Sequence, residues 1–293
     1  MHGPLDLLQL IALQKKHLDK SDCTIQKKLK SLRCKALFMN LPAGIILHFV
    51  LIIFFSLPGT SIAQQKMNSA ANEGYIAPVN INIDRELQCF NKEISDARYS
   101  ISLCADVPYN KKPYKVAHNQ QTGHVFLILQ KTNLNNNDTI SQVFGFYPKK
   151  GLPTLFFKTI KSVIKDNSRR EHDVSITRQL TEEEFNSAVE KSVALSKNIY
   201  HINKYNCYEY ALFIFNAVAG KDTVPLTHVR FPFIFGWGGS PVGLYKDLEK
   251  IKQNGSYLAE SIQFGNFLAP VSSTRMLQNK KVKKKECSEQ IGK

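Results

Sequence analysis

Hydrophobic and polar residues alternate with a period of two in several short segments, and this pattern predicts β-strands. The Asn-rich stretch 133–138 separates two such segments and favours a tight antiparallel hairpin. Residues 149–170 are basic and poor in periodic apolar positions, so we expect a loop there. The predicted strands are Val79–Ile83, Tyr99–Ala105, Thr122–Gln130, Ser141–Tyr147 and His172–Thr177.

Helical periodicity with capping signals appears mainly in the second half of the chain. Thr181 and Glu184 form a capping-box pattern, and Ser240 followed by Pro241 is typical of a helix start. The predicted helices are Asp84–Ala97, Thr181–Asn198, Cys207–Val218 ending before Gly220, and Val242–Lys252. Together these segments predict an α+β domain over residues 76–264 and a disordered Lys-rich tail over 265–293.

The segment Ala43–Leu57 is apolar and carries no formal charge. Basic residues precede it, and Pro58 followed by Ser61-Ile62-Ala63 supplies a helix breaker and a small-residue cleavage site. We therefore expect a signal peptide over 36–63, a polar leader over 64–75, and export to the periplasm or the extracellular space. Residues 1–35 form a basic extension longer than a signal requires. Either the assigned start precedes the true one, or residues 43–57 remain as a membrane anchor; a buried core helix is the third alternative.

The net charge of +15 is spread over three parts of the chain. Residues 1–63 carry +5 and the tail from Lys280 carries +4, which leaves +6 on the predicted domain without clustering on one element. A cationic domain favours anionic partners, such as cell-wall peptide, another envelope polymer or a membrane surface. No RNP, zinc-knuckle or helix-turn-helix pattern is present, so we expect no nucleic-acid partner.

Export changes how the cysteines are interpreted, because disulfides persist outside the cytosol. Cys89 and Cys104 lie 15 positions apart and could form one disulfide, which spacing alone does not settle. The predicted domain has no C-x-x-C pattern and no histidines at metal-ligand spacing. We therefore expect no metal and no other cofactor. Cys207 is left without an obvious partner.

Two residues have the types and positions that nucleophilic catalysis requires. Cys207 opens a predicted helix, where unpaired N–H groups lower a thiol pKa, and His124 opens an apolar strand, where it could accept the thiol proton. The alternatives are a small core cysteine, a core or strand-entry histidine, and an Asn206 that only caps its helix. A thiol nucleophile with a histidine base remains the sharper hypothesis.

The order of Gly123-His124, a hairpin, a capped helix and Asn206-Cys207 resembles the circularly permuted papain-like proteins of the NlpC/P60 superfamily. The resemblance covers about residues 120–250. It implies a permuted papain-like fold, with a central antiparallel sheet packed against helices. It also implies Cys207 as nucleophile, His124 as general base and acid, and the Cys207 N–H as oxyanion donor. The sequence departs from the family pattern at the third residue, which orients the histidine. Gln142 and Tyr147 are polar choices on the strand after His124, and Asp173 is the nearby carboxylate; we rank Tyr147 and Asp173 equally.

Trp237 lies in the glycine-rich segment 236–241 and either stacks on a substrate or covers the edge of the core. With Asn206 it forms our predicted substrate-binding set. The leading hypothesis is an exported thiol hydrolase that cleaves an amide bond in cell-wall peptide. The alternatives are a lipid-directed acyltransferase or lipase that uses the same site, and a non-catalytic envelope-binding protein.

Overall fold

The computed structural model describes residues 76–118, 121–149, 159–231 and 236–276. These residues belong to the compact unit Ser61–Lys293. The predicted N-terminal extension at 1–35, the signal peptide at 36–63 and the leader at 64–75 lie outside the described residues, as does the tail after residue 276. In the described part of the chain, none of the helices combines the length and the apolar character needed to cross a bilayer.

A seven-stranded antiparallel sheet forms the centre of the domain, with helices packed on it. Its strands are β1 (Val79–Ile81), β2 (Ala97–Asp106), β3 (His124–Asn133), β4 (Thr139–Pro148), β6 (Ser162–Asp166), β7 (Glu171–Leu180) and β11 (Ile262–Leu268), in the spatial order β1-β6-β4-β3-β2-β7-β11. Two short ribbons accompany it, one formed by β5 (Thr159–Ile160) and β8 (Tyr200–His201), the other by β9 (His228–Arg230) and β10 (Trp237–Gly239). The predicted hairpin between β3 and β4 is confirmed.

Four α-helices lie among the described residues: α1 (Ile83–Leu87), α2 (Glu182–Leu195), α3 (Cys207–Ala217) and α4 (Pro241–Gln253). The capping box of Thr181 and Glu184 is confirmed at the start of α2. The Ser240 cap with Pro241 at the first helical position is confirmed at α4. Local sequence therefore determines where the longer helices begin, because each cap satisfies backbone N–H groups that have no partner inside the helix.

The two faces of the sheet bury different clusters. The helix face carries Val125, Leu127 and Leu129 of β3, which belong to the main core together with the buried residues of α3. The second face carries a smaller cluster formed by Cys104, Phe126, Ile128, Val143 and Ala269. Successive residues of β3 thus alternate between two packed faces, as side chains of a strand must.

The segment 167–170 forms a turn between β6 and β7, in which the Arg170 N–H donates to the Asn167 carbonyl. The Asn167 N–H donates to Val143 of β4, and the Ala269 N–H donates to the Arg170 carbonyl. Three strands separate β6 from β7, a distance of about 19 Å in a flat sheet. Five peptide units reach at most about 18 Å when fully extended. The sheet must therefore curl around this segment, which brings the ends of β2, β3 and β4 close to it.

The predicted helix Asp84–Ala97 is shorter in the structure. α1 ends at Leu87, a 3-10 turn covers Gln88–Asn91, and β2 already begins at Ala97. The predicted loop 149–170 is wrong at its C-terminal end, because β6 forms there and pairs with β1 and β4. Pairing on both sides stabilises this strand, and its own sequence shows little alternation.

The predicted boundary at residue 264 is also wrong. β11 continues to Leu268 as a neighbour of β7. Beyond it, the Ser272 hydroxyl donates to Asp166, and Arg275 forms an ion pair with the same carboxylate at 2.6 Å. Residues 265–276 therefore belong to the folded domain. They are held by polar contacts to β6, which hydrophobic periodicity does not detect.

The proposed Cys89–Cys104 disulfide is not formed, since both residues are free thiols. Cys104 is buried on the second face, whereas Cys89 packs against the main core and its sulfur accepts a hydrogen bond from the Gln142 amide. The sheet separates the two sulfurs, and a disulfide requires Cα atoms within about 7 Å of each other.

We predict that Cys89 and Cys104 remain reduced in the purified protein, even after exposure to air. Alkylation in denaturant without a reductant, followed by peptide mass spectrometry, should label both residues fully. Recovery of a peptide pair linked through Cys89 and Cys104 would contradict this placement of the two thiols on opposite faces.

Candidate active site

Cys207 is the first residue of α3, and Asn206 caps the helix before it. The Asn206 side-chain oxygen Oδ1 accepts from the Tyr208 N–H, while its side-chain amide donates to the carbonyls of Ile202 and Gly239. Asn206 is also almost fully buried. The prediction that Asn206 binds substrate is therefore wrong, since its side chain is used to fix the start of α3.

A buried carboxylate supports the same helix start. Glu209 accepts hydrogen bonds from the backbone N–H groups of Asn206 and Gly239, and His228 lies 3.7 Å from it. Gly239 has no room for a side chain, because a Cβ would collide with the Tyr208 ring and the Glu209 carboxylate. The glycine at this position thus allows β10 to lie directly against the start of α3.

The Cys207 sulfur occupies the place where β3 and β4 separate. The Asn133 N–H donates to Asp138 across the hairpin. In an antiparallel pair the hydrogen-bonded positions alternate, so the odd-numbered residues of β3 direct their N–H groups toward β4. The ladder ends with Leu127 opposite Phe144. The Val125 N–H comes next in this series, and it faces the Cys207 sulfur.

Burial raises the pKa of the Cys207 thiol to about 11, against the expectation from its helix position. The N–H groups of Val125 and of Cys207 itself act in the opposite direction, as does the positive charge of Arg170, whereas the negative charge of Glu209 adds to the increase. Loss of water around the sulfur outweighs the helix N-terminus. The thiol is therefore protonated at neutral pH and requires a base to become a nucleophile.

His124 begins β3 and is buried on the second face, where its ring lies next to the Phe126 ring. Its imidazole stacks on the Tyr147 ring with the centroids 4.2 Å apart and the planes inclined by 24°. Continuing the β3–β4 register past Leu127 would place His124 opposite Tyr147, as observed. A Cβ on Gly145 would collide with the imidazole, so the ring lies directly over the β4 backbone.

Cys207 and His124 therefore lie at the same end of β3, Cys207 with α3 on the helix face and His124 on the second face. The sulfur lies beside the Val125 N–H, one residue along the chain from His124. The imidazole lies on the second face, over the Gly145 backbone and against the Tyr147 ring. Cys207 itself is half-buried. The arrangement brings a thiol and an imidazole to one end of one strand.

Further polar groups that sequence reasoning missed surround the histidine. The Tyr147 hydroxyl accepts from the Asn167 amide at 2.8 Å and from the Arg170 guanidinium at 3.3 Å. Arg170 also forms a 2.6 Å ion pair with Asp106, which pairs with His124 in the β2–β3 register. The one signal in the sequence for this cluster was Asp106 at the end of the apolar strand β2. Nothing in the sequence linked Asp106 to Arg170.

The two leading candidates for the orienting residue occupy different places. Tyr147 lies on the His124 ring, whereas the buried Asp173 carboxylate accepts a hydrogen bond from the Val107 N–H at 2.7 Å, at the end of β2. Gln142 bonds to Cys89 and Thr274. Stacking on the His124 ring supports Tyr147, and Asp173 holds the turn after β2; the role of orienting residue stays a prediction for both.

Trp237 is 63% exposed, so it does not cover the edge of the core. It lies opposite Arg230 in the β9–β10 ribbon, and its carbonyl accepts from the Asn203 amide. Two residues further on, Gly239 contacts the start of α3. The ribbon thus presents an exposed indole from the same structural unit that supports Cys207.

No protein-family model, curated protein or solved structure matches this chain. Within residues 76–276, as far as the structure describes them, no group of three His, Cys, Asp or Glu side chains is arranged to hold a metal ion.

We predict that iodoacetamide alkylates Cys207 of the folded protein at pH 8 at least about tenfold more slowly than an unfolded cysteine, because only the thiolate reacts. The rate should rise as the pH approaches 11. Peptide mass spectrometry across a pH series measures it, with the urea-unfolded protein as the reference. Reaction of the folded protein as fast as the unfolded one at pH 8 would contradict the burial of this thiol.

We predict that Gly145→Ala lowers the free energy of unfolding by about 1–3 kcal/mol, because the new methyl group overlaps the His124 imidazole. Urea denaturation measures the change. Gly220→Ala is the control: its site is open and has a φ of +60°, so it reports the cost of backbone strain without a collision. An unchanged transition midpoint for Gly145→Ala would mean that His124 does not lie over β4.

Proposed function

We propose that this protein is a thiol hydrolase that cleaves an amide bond by acyl transfer, with Cys207 as the nucleophile and His124 as the general base and acid. The observation that carries the proposal is the position of the Cys207 sulfur. It lies beside the Val125 N–H, at the end of the strand that His124 begins. Cys207 as a whole residue is half-buried, and access of a substrate to its sulfur is part of the proposal.

The proposed reaction begins from a protonated thiol, because burial raises the thiol pKa to about 11. His124 accepts the thiol proton as the sulfur attacks the carbonyl carbon of the amide. The same proton is then given to the leaving amine as the C–N bond breaks, which leaves a thioester on Cys207. A water molecule, deprotonated by His124, hydrolyses the thioester and restores the free thiol.

Negative charge develops on the carbonyl oxygen during the attack and needs hydrogen-bond donors. The N–H of Cys207 is among the first N–H groups of α3, which have no partners inside the helix. It also favours negative charge on the sulfur, so it is close to the reacting atoms. We assign this N–H the role of oxyanion donor, which pre-organised backbone groups perform at low energetic cost.

The fold proposed for this reaction is that of a permuted papain-like protein. The antiparallel sheet, the His at the start of β3 and the Cys at the start of α3 occur in the order that the sequence resemblance implies. In this proposal the protein is exported and its substrate is cell-wall peptide. The apolar segment 43–57, the cationic domain and the exposed Trp237 support this choice.

One observation favours a second candidate, a non-catalytic envelope-binding protein. The same burial that raises the Cys207 pKa is typical of a core cysteine, which packs as a small apolar residue. In that case Trp237 and the positive charge would bind an envelope polymer, and the thiol would have no chemical role.

We predict that Cys207→Ala abolishes the release of wall peptides from purified peptidoglycan, and that His124→Gln lowers its rate at least about 100-fold. Chromatography of the products with mass spectrometry measures release. Cys89→Ala is the matched control, since Cys89 is also a half-buried free thiol but is hydrogen-bonded to Gln142.

The substrate class is decided in the same experiment. Parallel incubation with phospholipid vesicles tests the lipid-directed alternative, for which acyl release or transfer replaces peptide release. Full activity of Cys207→Ala on peptidoglycan would contradict the thiol mechanism. Wall binding by a wild-type protein that releases nothing from either substrate would favour the envelope-binding candidate.

A further inference from the structure

Arg170, whose side chain is largely buried, connects β2 and β4, the two strands that flank His124. Its Nη2 atom lies 2.6 Å from the Asp106 carboxylate on β2, and its Nη1 atom donates to the Tyr147 hydroxyl on β4 at 3.3 Å. His124 lies on β3, between these strands. We propose that Arg170 is the positioning residue of the Cys207–His124 pair, holding the imidazole in place through Tyr147 and Asp106. The proposal rests on the thiol-hydrolase function above.

Both ends of this bridge act on the histidine. Asp106 is the register partner of His124 in the β2–β3 ladder, so the ion pair fixes the backbone beside it. Tyr147 stacks on the imidazole, so the hydrogen bond to its hydroxyl fixes the plane of the ring above. The His124 ring is therefore restrained through both neighbouring strands by one side chain.

Arg170 is itself held firmly. Its carbonyl accepts the Ala269 N–H, and Asn167, three residues earlier, donates from its backbone to Val143 and from its amide to Tyr147. The side chain of Arg170 is 14% exposed. Charge-assisted hydrogen bonds are stronger in such a poorly hydrated place than at the surface. The turn 167–170 between β6 and β7 thus supplies a fixed support for His124 through Tyr147.

The positive charge also acts on the nucleophile. Arg170 lowers the pKa of the Cys207 thiol and so offsets part of the increase that burial and Glu209 cause. A lysine could keep this charge, but its single ammonium group lacks the planar fork that reaches Asp106 and Tyr147 together. The site therefore requires arginine for positioning and only a cation for the electrostatic effect.

The chain contains a closely matched control. Arg275 forms a 2.6 Å ion pair with Asp166, and the side-chain exposures of the two partners are 19% and 5%, against 14% and 4% for Arg170 and Asp106. Arg275 lies in the segment after β11, and its carboxylate partner ends β6. Breaking this ion pair removes a comparable interaction without touching His124 or Tyr147.

The test compares Arg170→Gln, Arg170→Lys and Tyr147→Phe with Arg275→Gln. Three quantities are measured for each: the pH profile of Cys207 alkylation, kcat and KM for wall-peptide release, and the midpoint of thermal unfolding. We expect Arg170→Gln to reduce Cys207 alkylation at pH 9 about tenfold, as loss of a neighbouring opposite charge predicts. We also expect it to reduce kcat at least about tenfold with little change in KM.

The conservative variants separate the two roles of Arg170. Arg170→Lys and Tyr147→Phe should keep alkylation within about threefold of wild type, because the positive charge remains, but both should reduce kcat. Arg275→Gln should lower the unfolding midpoint while its alkylation and kcat stay within about twofold of wild type.

A result in which Arg170→Gln and Arg275→Gln have the same alkylation profile and the same kcat would overturn the proposal, because Arg170 would then be purely structural. Failure of the hydrolase function gives a different pattern: wild type and Cys207→Ala would release equal amounts of peptide. The alkylation profiles need no substrate, so they still decide whether Arg170 acts on the nucleophile.

Discussion

The hydrogen-bonded ladder between β3 and β4 stops at Leu127. The next N–H group of β3 on the β4 side is that of Val125, and it faces the Cys207 sulfur. The candidate site depends on this interruption. Had the two strands stayed paired, the Val125 N–H would have met a carbonyl of β4, and α3 could not have placed its first residue there. His124 and Tyr147 lie at the same end of these strands, with their rings stacked on the second face.

The electrostatics of the site are a balance in which burial dominates. Removal of water raises the Cys207 pKa, while Arg170 and two backbone N–H groups only reduce the increase. The negative charge of Glu209 raises the Cys207 pKa further. The same carboxylate accepts hydrogen bonds from the N–H groups of Asn206 and Gly239. The carboxylate that fixes the start of α3 therefore makes the thiolate harder to form. A nucleophile in this setting depends on a nearby base and on a fixed positive charge.

Local signals in the sequence predicted the parts of the fold that local chemistry determines. The caps at Thr181, Asn206 and Ser240 are short-range patterns, and the hairpin follows from an Asn-rich turn between two apolar runs. β6 and β11 were missed because both are stabilised by partners far along the chain, and a bulge between Phe264 and Phe267 interrupts β11. Their sequences alternate too weakly to indicate a strand.

The candidate site was predictable only in part. Residue type and helix position were enough to select Cys207 and His124. The side chains around them could not be identified in this way, since Arg170, Asp106 and Asn167 meet only because the sheet curls around the segment 167–170. The direction of the Cys207 pKa shift could not be predicted from the sequence either. It depends on how much water the folded chain excludes from the sulfur.

The proposed thiol mechanism requires the Cys207 sulfur to lie close to the His124 imidazole. A bifunctional alkylating reagent measures this proximity directly. 1,3-Dibromoacetone joins a thiol to an imidazole nitrogen through a three-carbon bridge that spans about 5 Å. After treatment of the folded protein near pH 9 and proteolysis, mass spectrometry should recover a peptide in which Cys207 is joined to His124. Recovery of Cys207 joined to a different residue, or modified without any bridge to His124, would contradict the account.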